Sequence, residues 1–200
     1  MTEIILASAS PRRADLLRQI GLPFRVAPSA VDEDEHISSA AEAGPAELAT
    51  RLALAKAQAV ARELGRGLVI GADTVVVCDE AVLGKPRDAV EAQAFLLRLS
   101  GRTHHVITGV ALVEAETGRA EVATATTAVR MRAFGAAEAA AYVATGEPMD
   151  KAGGYAVQGR GALLVAAIGG EYSNVVGLPL VTLAELLGRF GWTIWALERP

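Results

Sequence analysis

The sequence predicts a mixed α/β fold, and three observations carry that prediction. Glu3 to Ala7 and Leu68 to Val77 are short apolar runs bounded by turn residues, as buried strands are. Pro45 to about Leu64 repeats apolar residues at helical spacing over five turns. Thr103 to Glu114 and Arg119 to Arg132 read as two long strands about the turn Glu116-Thr117-Gly118, and such a hairpin breaks any regular alternation of strand and helix. No repeat, low-complexity linker or shift in composition marks a boundary, so residues 1–200 read as a single domain.

Taken in order, the first strand runs into Ser8-Ala9-Ser10-Pro11, where Ser10 suits a helix N-cap and Pro11 the first helical position. Leu16, Leu17 and Ile20 give that helix its apolar face, and Gly21 ends it. Phe24 to Ala27 reads as a strand, and the acidic Asp32-Glu33-Asp34-Glu35 segment as a loop. In the long helix, Leu48, Leu52, Ala55 and Ala59 form one face, with Arg51, Lys56, Arg62 and Glu63 elsewhere; Gly65-Arg66-Gly67 is its stop. The Leu68 strand turns at Asp79-Glu80 into a short Ala81-Val82-Leu83 return. Asp88 and Glu91 form a capping pair for a helix ending near Leu99. In the second hairpin strand Val122, Thr124, Thr126, Ala128 and Arg130 share a face. A short helix over Ala136 to Thr145, strands around Tyr155 and over Leu163 to Ile168, and a helix over Leu180 to Phe190 complete the reading.

Composition narrows the function. Apolar residues make up 52% of the chain and aromatics only 4%, so Ala, Val and Leu must fill the core in closely packed layers. A net charge of -4 argues against general nucleic-acid binding, which needs a basic face. Any phosphate site must therefore be a local cluster. Cys78 is the only cysteine, which excludes an internal disulfide, and its apolar setting reads as a core thiol. The N-terminus lacks the pattern of a signal peptide, and no apolar run approaches the roughly 18 residues of a membrane span, so a cytoplasmic protein without membrane partners is expected.

Two features point to chemistry. Arg12 and Arg13 put fixed positive charge at a helix N-terminus, where the helix dipole disfavours cations unless an anion is bound; two solvated arginines after an ordinary cap is the competing reading. Asp73 interrupts the most apolar strand, and a buried carboxylate needs a metal, a cation or hydrogen bonds as partner. Metal binding or general-base duty fits it, with a loop-capping aspartate as the plainer alternative. Gly84-Lys85-Pro86 lacks the P-loop pattern, and Lys85 reads equally as a surface lysine. Lys56, taken alone, reads as solvated. The Gly146 to Gly159 segment is rich in glycine, and Gln158 offers a donor and an acceptor suited to a base edge, although an ordinary glycine-rich loop explains it as well. His104 and His105 would point to opposite faces of a strand, which disfavours a shared metal.

Together, Leu6 to Arg13, Gly71-Ala72-Asp73-Thr74-Val75, Gly84-Lys85-Pro86, Tyr142 to Gly159 and Asn174 to Pro179 resemble, in order, the motifs of the Maf family of nucleotide pyrophosphatases. The resemblance implies an elongated fold similar to inosine-triphosphate pyrophosphatases, with a mixed sheet, flanking helices and a cleft between two lobes. It also implies a small-molecule nucleotide substrate, a divalent metal such as Mg2+ or Mn2+, and a homodimer. Lys151 and the Gln158-Gly159 pair resemble the branch acting on dTTP and UTP; the branch acting on 7-methyl-GTP usually has a cysteine after the aspartate and Ser-Glu-Gly in place of Gln-Gly. By the same resemblance Asp73 is the catalytic proton acceptor, Arg12, Thr74 and Gln158 govern substrate choice, and Ser8, Arg13, Lys56 and Lys85 bind substrate. Glu33 would join Asp73 as a metal ligand, although the run of four acidic residues leaves its register open. Two further roles stay open: a pyrophosphatase that removes modified nucleotides, and a nucleotide-binding regulator of septum formation without significant turnover.

Overall fold

The computed structural model describes residues 2–31, 44–193 and 195. Among these, seven strands form one mixed sheet: β1 (Ile4–Leu6), β2 (Arg25–Val26), β3 (Leu68–Cys78), β4 (Ala81–Leu83), β5 (Thr103–Glu114), β6 (Ala120–Met131) and β7 (Val165–Gly169). Their order is β2-β1-β3-β5-β6-β7, with β4 also paired to β3. β1 runs parallel to both β2 and β3, whereas β3 with β4 and β6 with β7 are antiparallel. The helices are α1 (Pro11–Gln19), α2 (Pro45–Leu64), α3 (Ala89–Leu99), α4 (Ala136–Val143), α5 (Tyr172–Val176) and α6 (Leu180–Arg189). The mixed α/β class read from the sequence is the fold observed.

The chain divides into two compact units. The first takes its described residues from Met1–Asp73, Thr108–Ala125 and Gly177–Pro200, and the second from Thr74–Ile107 and Thr126–Val176. In the first unit one cluster of the core is made mostly of small side chains. Ala53, Ala57, Val60 and Ala61 of α2 pack with Ile5 and Ala7, Val69 of β3, and Ala111 and Val113 of β5. Two strand glycines set how close α2 lies. A Cβ at Gly71 would stand 2.1 Å from the Ala53 carbonyl oxygen, and one at Gly109 would stand 2.4 Å from the Ala49 backbone. In the second unit Leu96 and Leu99 of α3 meet Val129, Met131, Tyr142, Tyr155 and Leu164.

Terminators act where the sequence placed them. Gly65 closes α2 in the left-handed conformation at φ 65°, and Asp88 caps α3 by accepting the Glu91 N–H at 2.8 Å. The Asp79-Glu80 turn is built from two residues of positive φ, 49° and 63°, the geometry of a two-residue hairpin loop.

Three expectations are corrected. Ser10 is the N-cap of α1 by backbone geometry, but its hydroxyl makes no capping bond. Tyr155 lies in no strand: the segment before it folds into two short 3₁₀ turns, Glu147–Asp150 and Ala152–Gly154, because Gly146, Gly153 and Gly154 take positive φ. Within α2 the buried stripe is Leu48, Leu52, Lys56 and Val60 with Ala49, Ala53, Ala57 and Ala61, so Ala55 and Ala59 are only half-buried and Lys56 is inside.

Candidate active site

The parallel pairing of β1 with β3 organises the first unit's candidate residues. Leu6 stands opposite Ile70, and the Ala7 N–H donates to the Ile70 carbonyl at 2.8 Å, so the chain leaves β1 directly into the buried Ser8 while β3 continues towards Asp73. The space beyond the carboxyl ends of parallel strands is where open α/β sheets bind ligands.

Gly71 and Asp73 are two residues apart, and so project from the same face of β3. That face meets α2. Because Gly71 has no side chain, the helix backbone comes close enough for Lys56, between Ala53 and Ala57, to reach the carboxylate. Its Nζ donates to Asp73 Oδ1 at 2.6 Å, with the two side chains only 10% and 11% exposed. The solvated reading of Lys56 is therefore wrong. The partner that Asp73 requires is this lysine, supplied by the element packed against its strand.

At the β1–α1 turn Ser8 Oγ accepts both the Ser10 N–H, at 3.2 Å, and Arg13 Nη1, at 3.1 Å. Arg13 also donates from Nε to the Gly177 carbonyl at 2.7 Å. Two neutral acceptors thus fix the guanidinium at the start of α1, and Arg12 beside it is half-buried. Ser8, Arg12 and Arg13 share one turn, and Asp73, on the strand next to β1, pairs with Lys56 of α2. A serine hydroxyl, two guanidinium groups and an ammonium are the donors that a polyphosphate chain needs, and the carboxylate suits a hard cation or a water proton.

In the second unit, Thr74 opens the chain segment and is half-buried, and Lys85 follows β4 and is exposed. The β3–β4 register, with Val76 opposite Leu83, carries Lys85 back along β3 towards Thr74. The Gly153 N–H donates to the Gly84 carbonyl at 3.0 Å, tying that turn to the glycine-rich segment. Gln158 is exposed, whereas Lys151 turns inward: its Nζ donates to the Glu147 carbonyl at 2.7 Å and to Asp150 Oδ1 at 2.6 Å. Glu33 lies outside the described residues.

The histidines behave as adjacent strand residues should. His105 is exposed, and His104 is buried with its Nε2 2.7 Å from the Tyr155 hydroxyl. Burial, with a smaller contribution from His105, depresses the His104 pKa to about 4. Among the described residues no three His, Cys, Asp or Glu side chains gather as a metal cluster. The donor set fits a magnesium-type ion even so, because such ions are commonly held by one or two carboxylates together with substrate phosphates. Asp73 would be one of those carboxylates.

The fold is mixed α/β, and in its first unit a serine hydroxyl and two guanidinium groups share the β1–α1 turn. The chain belongs to the Maf-like protein family, whose profile matches residues 3–190. The dTTP/UTP pyrophosphatase of Moorella thermoacetica is 54% identical to it, the alignment covering 98% of each chain. That of Symbiobacterium thermophilum is 52% identical over 98% of this chain and 97% of its own. That of Dictyoglomus thermophilum is 45% identical over 96% and 98%. Among the described residues no helix is long and apolar enough to cross a membrane.

Proposed function

We propose that this protein hydrolyses dTTP and UTP to the nucleoside monophosphate and pyrophosphate. The near-full-length identity to proteins named for that activity supports the reaction. The observation that carries the assignment of chemistry is the buried pair of Lys56, on α2, with Asp73, on the strand that neighbours β1.

The substrate brings about four negative charges, which Arg12, Arg13, Lys56 and Lys85 neutralise in part while Ser8 donates a hydrogen bond. A water oxygen attacks the α-phosphorus, the bond to the bridging oxygen of the β-phosphate breaks, and pyrophosphate leaves. Asp73 takes the water proton or serves as a metal ligand, and either role sets its carboxylate beside the attacking water. A divalent cation, Mg2+ or Mn2+, when held by Asp73 and Glu33, supplies further charge neutralisation. Thr74 and Gln158 join Arg12 in base choice. A cytoplasmic homodimer is the proposed working form.

The test is pyrophosphate release from UTP, dTTP, CTP and 7-methyl-GTP, with the parent and Asp73→Asn run side by side and EDTA as a control. Turnover should favour UTP and dTTP and vanish with EDTA. Lys85→Ala and Arg12→Ala should each lower turnover on the order of 10²–10³-fold, the usual effect of removing one preorganised charge donor, and Asp73→Asn should lose more. UTP turnover near the parent rate in Asp73→Asn sinks the assignment, and tight UTP binding with no turnover in the parent replaces the enzyme with a binder.

A further inference from the structure

Gln158 stands on an exposed stretch of backbone, yet the residues on either side of it are held by one half-buried hydrogen-bond cluster. Glu147 Oε1 accepts the Tyr142 hydroxyl at 2.7 Å and the Gly161 N–H at 2.9 Å, while Oε2 accepts the Arg160 N–H at 3.0 Å. The Tyr142 oxygen in turn accepts the Ala156 N–H at 3.1 Å. The chain is thus anchored two residues before Gln158 and two and three residues after it. Packing adds to the bonding. Gly159 has φ 65°, and a Cβ there would stand 2.7 Å from Glu147 Oε2; a Cβ at Gly161 would stand 2.6 Å from the Tyr142 hydroxyl.

The cluster is charged on purpose and stays so. Burial pushes the Glu147 carboxyl up, but the hydrogen bonds from Tyr142, Gly161 and Arg160, with the Lys151 charge, outweigh it and hold the group below its ordinary value. Burial and the bond to Glu147 push the Tyr142 phenol up, so it remains a donor. Lys151, bound to the Glu147 carbonyl, completes the same clasp from inside the loop.

We infer that Glu147 and Tyr142 are positioning residues for base selection: they clamp the Ala156–Gly161 backbone so that the Gln158 amide is presented in one place. This rests on the base-reading role given to Gln158 above. A carboxylate suits the task because it is acceptor-only and meets three converging donors, whereas an amide in its place turns an NH2 group towards N–H groups.

The experiment compares the full-length parent with Glu147→Gln, Tyr142→Phe, Gln158→Ala and the Glu147→Gln/Gln158→Ala double variant. It measures kcat/KM for UTP and CTP, and amide hydrogen exchange at Ala156, Arg160 and Gly161. Both clasp variants should exchange faster at those amides while β3 stays protected. Their UTP-over-CTP ratio should fall about 10-fold or more, since ångström-scale misplacement of a contact group costs up to about 10²-fold. In the double variant the ratio should fall no further than in Gln158→Ala alone, as expected of residues acting through one another. A merely structural clasp would lower activity on both nucleotides alike, so a parent ratio in Glu147→Gln and Tyr142→Phe overturns the inference. Tyr142→Phe keeps the aromatic ring in the core and decides the matter if Glu147→Gln does not fold. If Gln158→Ala itself keeps the parent ratio, the base-reading role fails, and the clasp inference with it.

Discussion

Replacing Lys56 by methionine keeps most of the side-chain volume inside α2 and removes only the ammonium that faces Asp73. At the 2.6 Å separation of the pair and an effective dielectric of about 20, the direct attraction is about 6 kcal/mol. Desolvation of both groups offsets part of this, and breaking such pairs by removing one partner usually destabilises by about 3–5 kcal/mol, because the other charge is left buried alone. Lys56→Met should therefore lower unfolding stability in urea by about 3–5 kcal/mol, and Asp73→Asn, which strands the ammonium, by a comparable amount. The double variant contains no stranded charge. Its loss should fall short of the sum of the two single losses by about 2 kcal/mol or more, the coupling typical of close charge pairs. Losses that add to within about 0.5 kcal/mol would refute the claim that these two side chains satisfy one another.

Two other predictions concern the frame of the site. Gly71→Ala forces a methyl group onto the Ala53 carbonyl, 2.1 Å away, and backbone cannot step aside as a side chain can. It should cost about 3 kcal/mol of stability by urea denaturation and displace Lys56 from Asp73; a thermal midpoint equal to the parent's would contradict the close approach of α2. His104 titrates at about 4 when folded against its ordinary 6.5, so below pH 6.5 the unfolded chain binds a proton that the folded chain refuses. Stability should fall by about 2–3 kcal/mol between pH 7.5 and 4.5 through this group alone. His104→Gln should show that much less pH dependence in the same denaturation series, and identical slopes in the two proteins would exclude His104 as the source.

Much of the fold was legible because local signals and tertiary packing agree. Pro45 and Gly65 bound α2 at both ends as read, and the Asp88–Glu91 cap and the Asp79-Glu80 turn lie where their residue types require. The stretch around Tyr155 was not legible as 3₁₀ turns. Its glycines stand out in the sequence, but which of them take positive φ depends on contacts made elsewhere, such as Gly153 against Val76. α5 is not legible for a related reason: at five residues it is too short for a helical period to show.

The site is half legible in the sequence, and Lys56 marks the limit. In the sequence Asp73 reads as a carboxylate in need of a partner, while Lys56, taken alone, reads as a solvated residue of its helix. The signal was present in the spacing. Leu48, Leu52, Lys56 and Val60 recur every fourth residue, so the lysine occupies the middle of the buried stripe. A cation on the apolar face of one element and an anion in the apolar run of the next each imply a prohibitive burial on their own, and a satisfied pair if the elements touch. Gly71, two residues before Asp73 on the same strand face, is what lets them touch. Gly159 stands in a similar relation to Glu147, since a Cβ there would lie 2.7 Å from its Oε2. In both places the hydrogen bonds of an acid depend on a missing side chain next to it, and the informative sequence pattern is that conjunction, not the charge alone.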